Sequence, residues 1–260
     1  MTSVRAPDVI GYELVGTGTT RVVIMNDWLC DTSTWDGTRA YLDCKRFTYV
    51  FADLRGYGRS MGHSGSFTLP EAATDALALA KALHWDQFSV VGHSMSALVA
   101  LHLAQHHPDR IERAVALTPP PPTGFGADDA ALSASRGLAL ADDAKRFEVF
   151  SQQFGTRLSP GWASYKASRW RACANPVAAA AYVAMFARDG LPEPAVRITV
   201  PVLAITGEQD AAPMRSDAVS RLLTPLCEHL TITPLRDSGH YPMQEMPPLT
   251  VAIMERFLGN

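Results

Sequence analysis

The chain has 260 residues, 47% of them hydrophobic and 19% charged, with a formal net charge of −3. That is enough apolar chain for one full core, as a single domain or a domain with an insertion, and it leaves no electrostatic footprint for nucleic acid or an acidic membrane surface. The N-terminal Met1-Thr-Ser-Val-Arg-Ala-Pro lacks the apolar core of a signal peptide, and no stretch reaches the roughly 18 apolar residues that span a bilayer, so the expected compartment is the cytoplasm.

Val9 to Val15 alternates weakly as a first strand, and Arg21 to Met25 is a compact buried-strand signal. The polar and aromatic loop Asn26-Asp-Trp-Leu-Cys-Asp31 follows, and Ser33 or Thr34 is expected to cap a short helix through Tyr41. Phe47 to Ala52 is the next strand, ending in the glycine-punctuated Asp53-Leu-Arg-Gly-Tyr-Gly-Arg-Ser60. Thr68, before Pro70 and Glu71, starts a helix. Phe88 to Val91 is a strand, Met95 to Gln105 a helix, and Ile111 to Leu117 a strand stopped by Pro119 to Pro122. Strand signals then vanish. Helical stretches follow near 128–140, 142–154, 161–174 and 176–188, separated by Gly and Pro. Strand alternation returns at Ile198–Thr206, followed by a helix near Ser216–Leu223, a strand near His229–Thr233 and a closing helix from Pro248 to Leu258. Short apolar strands alternating with helices imply an α/β fold with a parallel sheet covered on both faces. The helical block implies a lid over the carboxyl ends of the strands, where open parallel sheets bind ligands.

The stretch Gly92-His-Ser-Met-Ser96 breaks between strand and helix. A serine there occupies a strained turn that exposes its hydroxyl above the sheet, with small residues where the two backbones pass closely. An ordinary loop with an incidental serine would read the same, so Ser94 needs partners. A serine nucleophile requires a base and a carboxylate to orient that base. Asp210 follows the strand ending at Thr206, and His240 lies between the last strand and last helix. Each alone is a common turn cap or solvated loop residue; together they stand in the hydrolase order at one edge of the sheet. The cysteines, Cys30, Cys44, Cys173 and Cys227, are scattered without a C-x-x-C pair, which argues against a metal site or a disulfide framework.

Across nearly its whole length the sequence resembles the α/β-hydrolase superfamily, through Asp53–Ser60, Gly92–Ser96, Pro108-Asp-Arg110, Gly207-Glu-Gln-Asp210 and Ser238-Gly-His240. The resemblance implies a mostly parallel eight-stranded sheet flanked by helices, with a helical lid inserted after the sixth strand. Residues 1–122 and 198–260 would form the core and 123–197 the lid. It implies Ser94 as nucleophile, His240 as general base and then acid, Asp210 as orienting carboxylate, an acyl-enzyme intermediate, and no cofactor or metal. Two departures stand out. Ser96 replaces the usual glycine, and Asn26-Asp27 replace the usual His-Gly before the oxyanion-hole residue, so the Trp28 and Met95 N–H groups would form the hole. Asp27 is expected to turn away from the oxyanion and bond loop N–H groups, and Asn26 to fix the loop by side-chain hydrogen bonds. Asp27, Cys30, Phe125, Trp162, Trp170, Met185, Phe186, Met214 and Tyr241 are candidate pocket residues, a lining that suits a medium-sized apolar or aromatic substrate.

The expected activity is hydrolysis of a carboxylic ester or lactone of such a small molecule, with no nucleic-acid or membrane partner; oligomeric state has no signal in the sequence. One alternative is a cofactor-free dioxygenase opening an N-heteroaromatic ring such as a hydroxyquinolone, which Trp28-Leu-Cys30 weakly resembles. That reading wants its acid after the strand before the lid, where Thr118-Pro-Pro stands. Hydrolysis of a carbon–carbon bond would use the same triad. A ligand-binding protein without catalysis would usually have lost a triad member.

Overall fold

The computed structural model describes residues 9–153, 155–193 and 195–260. The signal-peptide reading of the N-terminus falls on residues 1–8, outside the described residues. The sheet has seven strands among the described residues: β1 (Tyr12–Gly16), β2 (Thr20–Met25), β3 (Phe47–Ala52), β4 (Phe88–His93), β5 (Ile111–Leu117), β6 (Val202–Gly207) and β7 (Leu230–Leu235). Their spatial order is β1-β3-β2-β4-β5-β6-β7, with β1 antiparallel to β3 and the remaining pairs parallel. This corrects the expected eight strands, and the helical insert follows the fifth strand instead of the sixth. The apolar runs of the sequence itself number seven, and residues 1–8 lie outside the described residues.

β4 and β6 are buried at every position, as expected for strands covered on both faces. Helices α1 (Leu69–Ala82) and α2 (Met95–His106) follow β3 and β4; α7 (Ser216–Leu223), α8 (Pro242–Glu245) and α9 (Pro247–Leu258) complete the core. The Thr68 hydroxyl caps α1 by accepting from the Glu71 N–H. The segment after β2 is a 3-10 helix, Thr32–Tyr41, and its cap is Asp31, not Ser33 or Thr34: the Asp31 carboxylate accepts from the Ser33 N–H at 3.1 Å. The turn therefore starts two residues earlier than a Ser33 cap would place it.

The insert between β5 and β6 carries α3 (Asp129–Leu138), α4 (Asp143–Ser151), α5 (Pro160–Cys173) and α6 (Pro176–Ala184), the last running into a π-helical turn, Met185–Asp189. Bonds fasten it to the loops beyond the strand ends. The Asn175 N–H donates to the Gly56 carbonyl at 2.8 Å, and the Trp28 indole donates to the Ala179 carbonyl at 2.7 Å. Among the described residues no helix is long and apolar enough to cross a membrane.

Candidate active site

Ser94 stands between β4 and α2 with φ 55° and ψ −121°. A non-glycine residue at positive φ costs about 1–3 kcal/mol and persists only where its surroundings enforce it. Here the enforcement is visible. A Cβ on Gly92 would lie 2.0 Å from the Ser96 carbonyl oxygen, so only glycine lets strand and helix approach this closely. Ser96 does more than replace a glycine: its hydroxyl accepts from the His93 N–H at 2.9 Å and lies 3.1 Å from the His93 carbonyl, tying the turn together from inside.

The Ser94 hydroxyl lies 2.9 Å from His240 Nε2, and His240 Nδ1 lies 2.7 Å from Asp210 Oδ2. A carboxylate only accepts, so Nδ1 carries the proton and Nε2 is left free to receive the Ser94 hydrogen. Burial works against the His240 imidazolium, but the charge and hydrogen bond of Asp210 outweigh it, and the pKa is raised above 6.5. The histidine loop is held on every side. The His240 N–H donates to the Gln153 carbonyl at 2.7 Å, and the His240 carbonyl is met by His93 Nε2 at 2.7 Å and by the Thr118 hydroxyl at 3.2 Å. The buried Glu245 carboxylate accepts from the N–H groups of Gly155 and Gly239, both at 2.8 Å, and of Tyr241 at 3.0 Å. The sequence reading missed Glu245; its signal is an acid three residues into a proline-initiated helix beside the histidine.

Opposite the serine, Asn26 holds the loop by donating to the carbonyls of Asp27 (2.8 Å) and Cys30 (2.7 Å) while accepting from the Leu54 N–H at 2.8 Å. Tyr57 adds a bond from its hydroxyl to the Trp28 carbonyl at 2.7 Å. Among the described residues no protein acceptor takes the N–H of Trp28 or Met95. The Asp27 carboxylate is turned inward. Oδ1 accepts from the Leu29 N–H at 2.9 Å, and Oδ2 lies 3.9 Å from Lys166 Nζ and 3.5 Å from His93 Nδ1. Burial pushes the Asp27 pKa up, yet Lys166 and His93 bring it down to about 2, so the group is ionised at neutral pH. Burial likewise opposes the Lys166 ammonium, and Cys30 and Asp27 more than offset it, leaving its pKa raised. Burial lowers the His93 pKa despite Asp27. His93 donates from Nε2 to the His240 carbonyl, and Lys166 is the full cation that compensates the Asp27 carboxylate.

Lys166 is another residue the sequence reading missed. It is fully buried, bonds Thr34 Oγ1 at 3.1 Å and sits 4.6 Å over the Tyr241 ring. Trp162, Lys166 and Trp170 recur every four residues, which places them on one face of α5; a lysine between two tryptophans on a core-facing stripe was the available signal.

The candidate pocket residues divide. Trp28 meets Trp170 and Phe186 at ring distances of 5.4 and 5.3 Å, Met185 is buried beside them in sequence, and Met214 is half-buried in the 3-10 turn after Asp210. Trp162 is half-buried, donates to Gln244 Oε1 at 2.8 Å and packs against Tyr241 at 4.9 Å. Three residues are placed elsewhere. Phe125 is 43% exposed, because Gly124 and Gly126, both at positive φ, turn the chain at the surface. Tyr241 is fully buried edge-on behind His240 and under Lys166. Cys30 is buried against Cys173, sulfur to sulfur at 3.8 Å.

Cys30, Asp31 and Cys173 bring ligand atoms within 4.8 Å of one another. The Asp31 carboxylate is already engaged by Arg169, at 2.9 Å, and a guanidinium there repels a metal cation.

Comparison with known proteins agrees with this architecture. The 3-oxoadipate enol-lactonase 2 of Acinetobacter baylyi is 27% identical over 273 residues, covering 98% of this chain and 97% of that protein. The crystal structure of an enol-lactonase from Burkholderia xenovorans LB400 superposes with a TM-score of 0.83 at 24% identity, over 96% of each chain. A thermophilic esterase from Thermogutta terrifontis gives 0.78 at 22% identity, over 96% of this chain and 93% of its own. A family profile described as the alpha/beta hydrolase family matches residues 22–253. On that match, and with the fold just described, the chain belongs to the α/β-hydrolase family.

Proposed function

We propose that the protein hydrolyses a carboxylic ester or lactone of a medium-sized apolar or aromatic compound through an acyl-enzyme on Ser94. The observation that carries this reading is the relay from Ser94 through His240 to Asp210, at 2.9 and 2.7 Å, on a strained turn. His240 takes the Ser94 proton as the hydroxyl attacks the carbonyl, then returns it to the leaving oxygen. Water activated by the same imidazole frees the acid. The N–H groups of Trp28 and Met95 receive the oxyanion, each such donor contributing about 3 kcal/mol of transition-state stabilisation. The insert serves as a lid, with Trp28, Trp170 and Phe186 as the apolar wall. Kinship with an enol-lactonase over nearly the whole chain makes cyclic enol esters the first substrates to try. The dioxygenase alternative has less support: Thr118 follows β5 and bonds the His240 carbonyl, while the imidazole is served by Asp210.

A panel of p-nitrophenyl esters and lactones, run with a fluorophosphonate probe, tests the proposal. The probe is expected to label Ser94 and abolish turnover, and Ser94→Ala to be inactive. Full activity in Ser94→Ala would overturn the acyl-enzyme mechanism, and oxygen consumption with a hydroxyquinolone would select the dioxygenase.

A further inference from the structure

The buried thiols of Cys30 and Cys173 have no part in the chemistry proposed above. Cys30 closes the loop that begins at Asn26, and its carbonyl is one of the acceptors through which Asn26 fixes that loop. Cys173 is the last residue of α5 in the insert. Their sulfurs lie 3.8 Å apart, the Cys173 thiol directed at the Cys30 sulfur. The pair is not sealed off. Cys173, 3% exposed, lines an open cavity of about 600 Å³ together with Asp31, Ser33, Arg59 and Arg169, which places the pair directly beneath a solvent-filled opening.

We propose that Cys30 and Cys173 are an oxidative modification site: a small peroxide entering this cavity converts them to a disulfide that ties α5 to the Asn26–Asp31 loop and slows turnover. The steps balance. The Cys173 sulfur attacks one peroxide oxygen, the O–O bond breaks, and the departing hydroxide takes the thiol proton to leave as water, giving a sulfenic acid. The Cys30 sulfur then attacks the Cys173 sulfur, the S–O bond breaks, and the hydroxide leaves with the Cys30 proton as a second water. The two sulfurs lose two electrons between them and the peroxide gains them.

In the reduced pair the bond from Cys173 and the Lys166 ammonium lower the Cys30 pKa against burial, whereas the bond to Cys30 and burial raise the Cys173 pKa and make the first step the slow one. A bonded pair of sulfurs is about 2.05 Å apart, so closing the gap from 3.8 Å draws Cys30 and α5 toward each other. Displacing an oxyanion loop on the order of 1 Å can cost up to about a hundredfold in rate.

The test begins with thiol chemistry, which reads the bridge whatever the substrate is. The reduced, full-length protein is treated with hydrogen peroxide, denatured under iodoacetamide and mapped by mass spectrometry. The expected result is a Cys30–Cys173 cross-linked peptide, two hydrogens lighter than the reduced pair, reversed by dithiothreitol and absent in Cys173→Ser. Bridging is also expected to raise the Tm by on the order of 5 °C, since it closes a long loop in the unfolded chain. With an ester substrate, kcat is expected to fall about tenfold with little change in KM, while peroxide-treated Cys173→Ser keeps its rate. Cys30 and Cys173 both remaining alkylatable after peroxide, or going to sulfinic acid singly, would overturn the site. A bridge that forms and leaves kcat unchanged would overturn its coupling to the loop.

Discussion

Replacing Lys166 with methionine keeps the length of the side chain and its packing over Tyr241 but removes the charge that faces Asp27. The two charged groups are buried and 3.9 Å apart. At an effective dielectric constant near 20, that separation corresponds to about 4 kcal/mol of attraction, and removing one partner of a buried pair typically costs about 3–5 kcal/mol because the other charge is stranded. Lys166→Met is therefore expected to lose about 4 kcal/mol in urea unfolding followed by tryptophan fluorescence, or about 10 °C in Tm. Asp27→Asn/Lys166→Met, with no stranded charge, is expected to recover most of that loss. The pH dependence gives a second reading. In the wild type the Asp27 pKa is depressed to about 2 from 3.8, so its contribution is present above 3.8 and disappears as pH falls through about 2. In Lys166→Met burial still raises the Asp27 pKa and the largest opposing group is gone, so the pKa should move up from the wild-type value and the acid end of the stability profile should shift to higher pH with it. A loss below about 1 kcal/mol, or a double variant no more stable than Lys166→Met, would refute the claim that Asp27 is ionised and held by Lys166.

The remaining predictions concern the relay and its supports. Asp210→Asn should lower kcat on the order of 10⁴-fold; on the proposed mechanism neutral His240 is the active form, and since Asp210 raises its pKa above 6.5 against burial, the acid limb of kcat/KM should lie above that value in the wild type and move to lower pH in the variant. Glu245→Gln, which leaves one acceptor oxygen for the N–H groups of Gly155, Gly239 and Tyr241, should lower kcat by about 10- to 100-fold by loosening the His240 loop, with KM little changed in a steady-state assay. Ser96→Ala leaves the buried His93 N–H without its acceptor and should cost about 1–3 kcal/mol in urea unfolding.

The sheet was readable because its central strands are covered on both faces, so β4 and β6 carry short apolar runs that end just before the turns bearing Ser94 and Asp210. The elbow was readable because close backbone passage restricts Gly92 and Ser96 to small residues. What the sequence concealed was the support beneath the site. Lys166 looks like an ordinary surface lysine until α5 docks against the Asn26–Asp31 loop, since charge pairing between distant segments leaves no local pattern. Glu245 likewise looks like a solvated acid in a short helix, although its carboxylate gathers N–H groups from two loops. Phe125 stands 43% exposed for the converse reason: hydrophobicity marks a residue for burial, but the glycines on either side decide where the backbone sends it.

On the proposed mechanism, these placements constrain how substrate reaches Ser94. Lifting α5 away from the strand ends would separate Lys166 from Asp27 and leave the buried carboxylate unpaired. The α4 part of the insert is also anchored, by Phe150 buried against Trp170 and Tyr241, whereas the π-helical turn Met185–Asp189 closes α6 next to Phe186 and the Trp28 ring. A π-helical turn is a common point of local adjustment in a helix. On that ground we expect α5 to stay with the fixed frame of the proposed site and the turn beside Phe186 to be the part that yields when substrate enters.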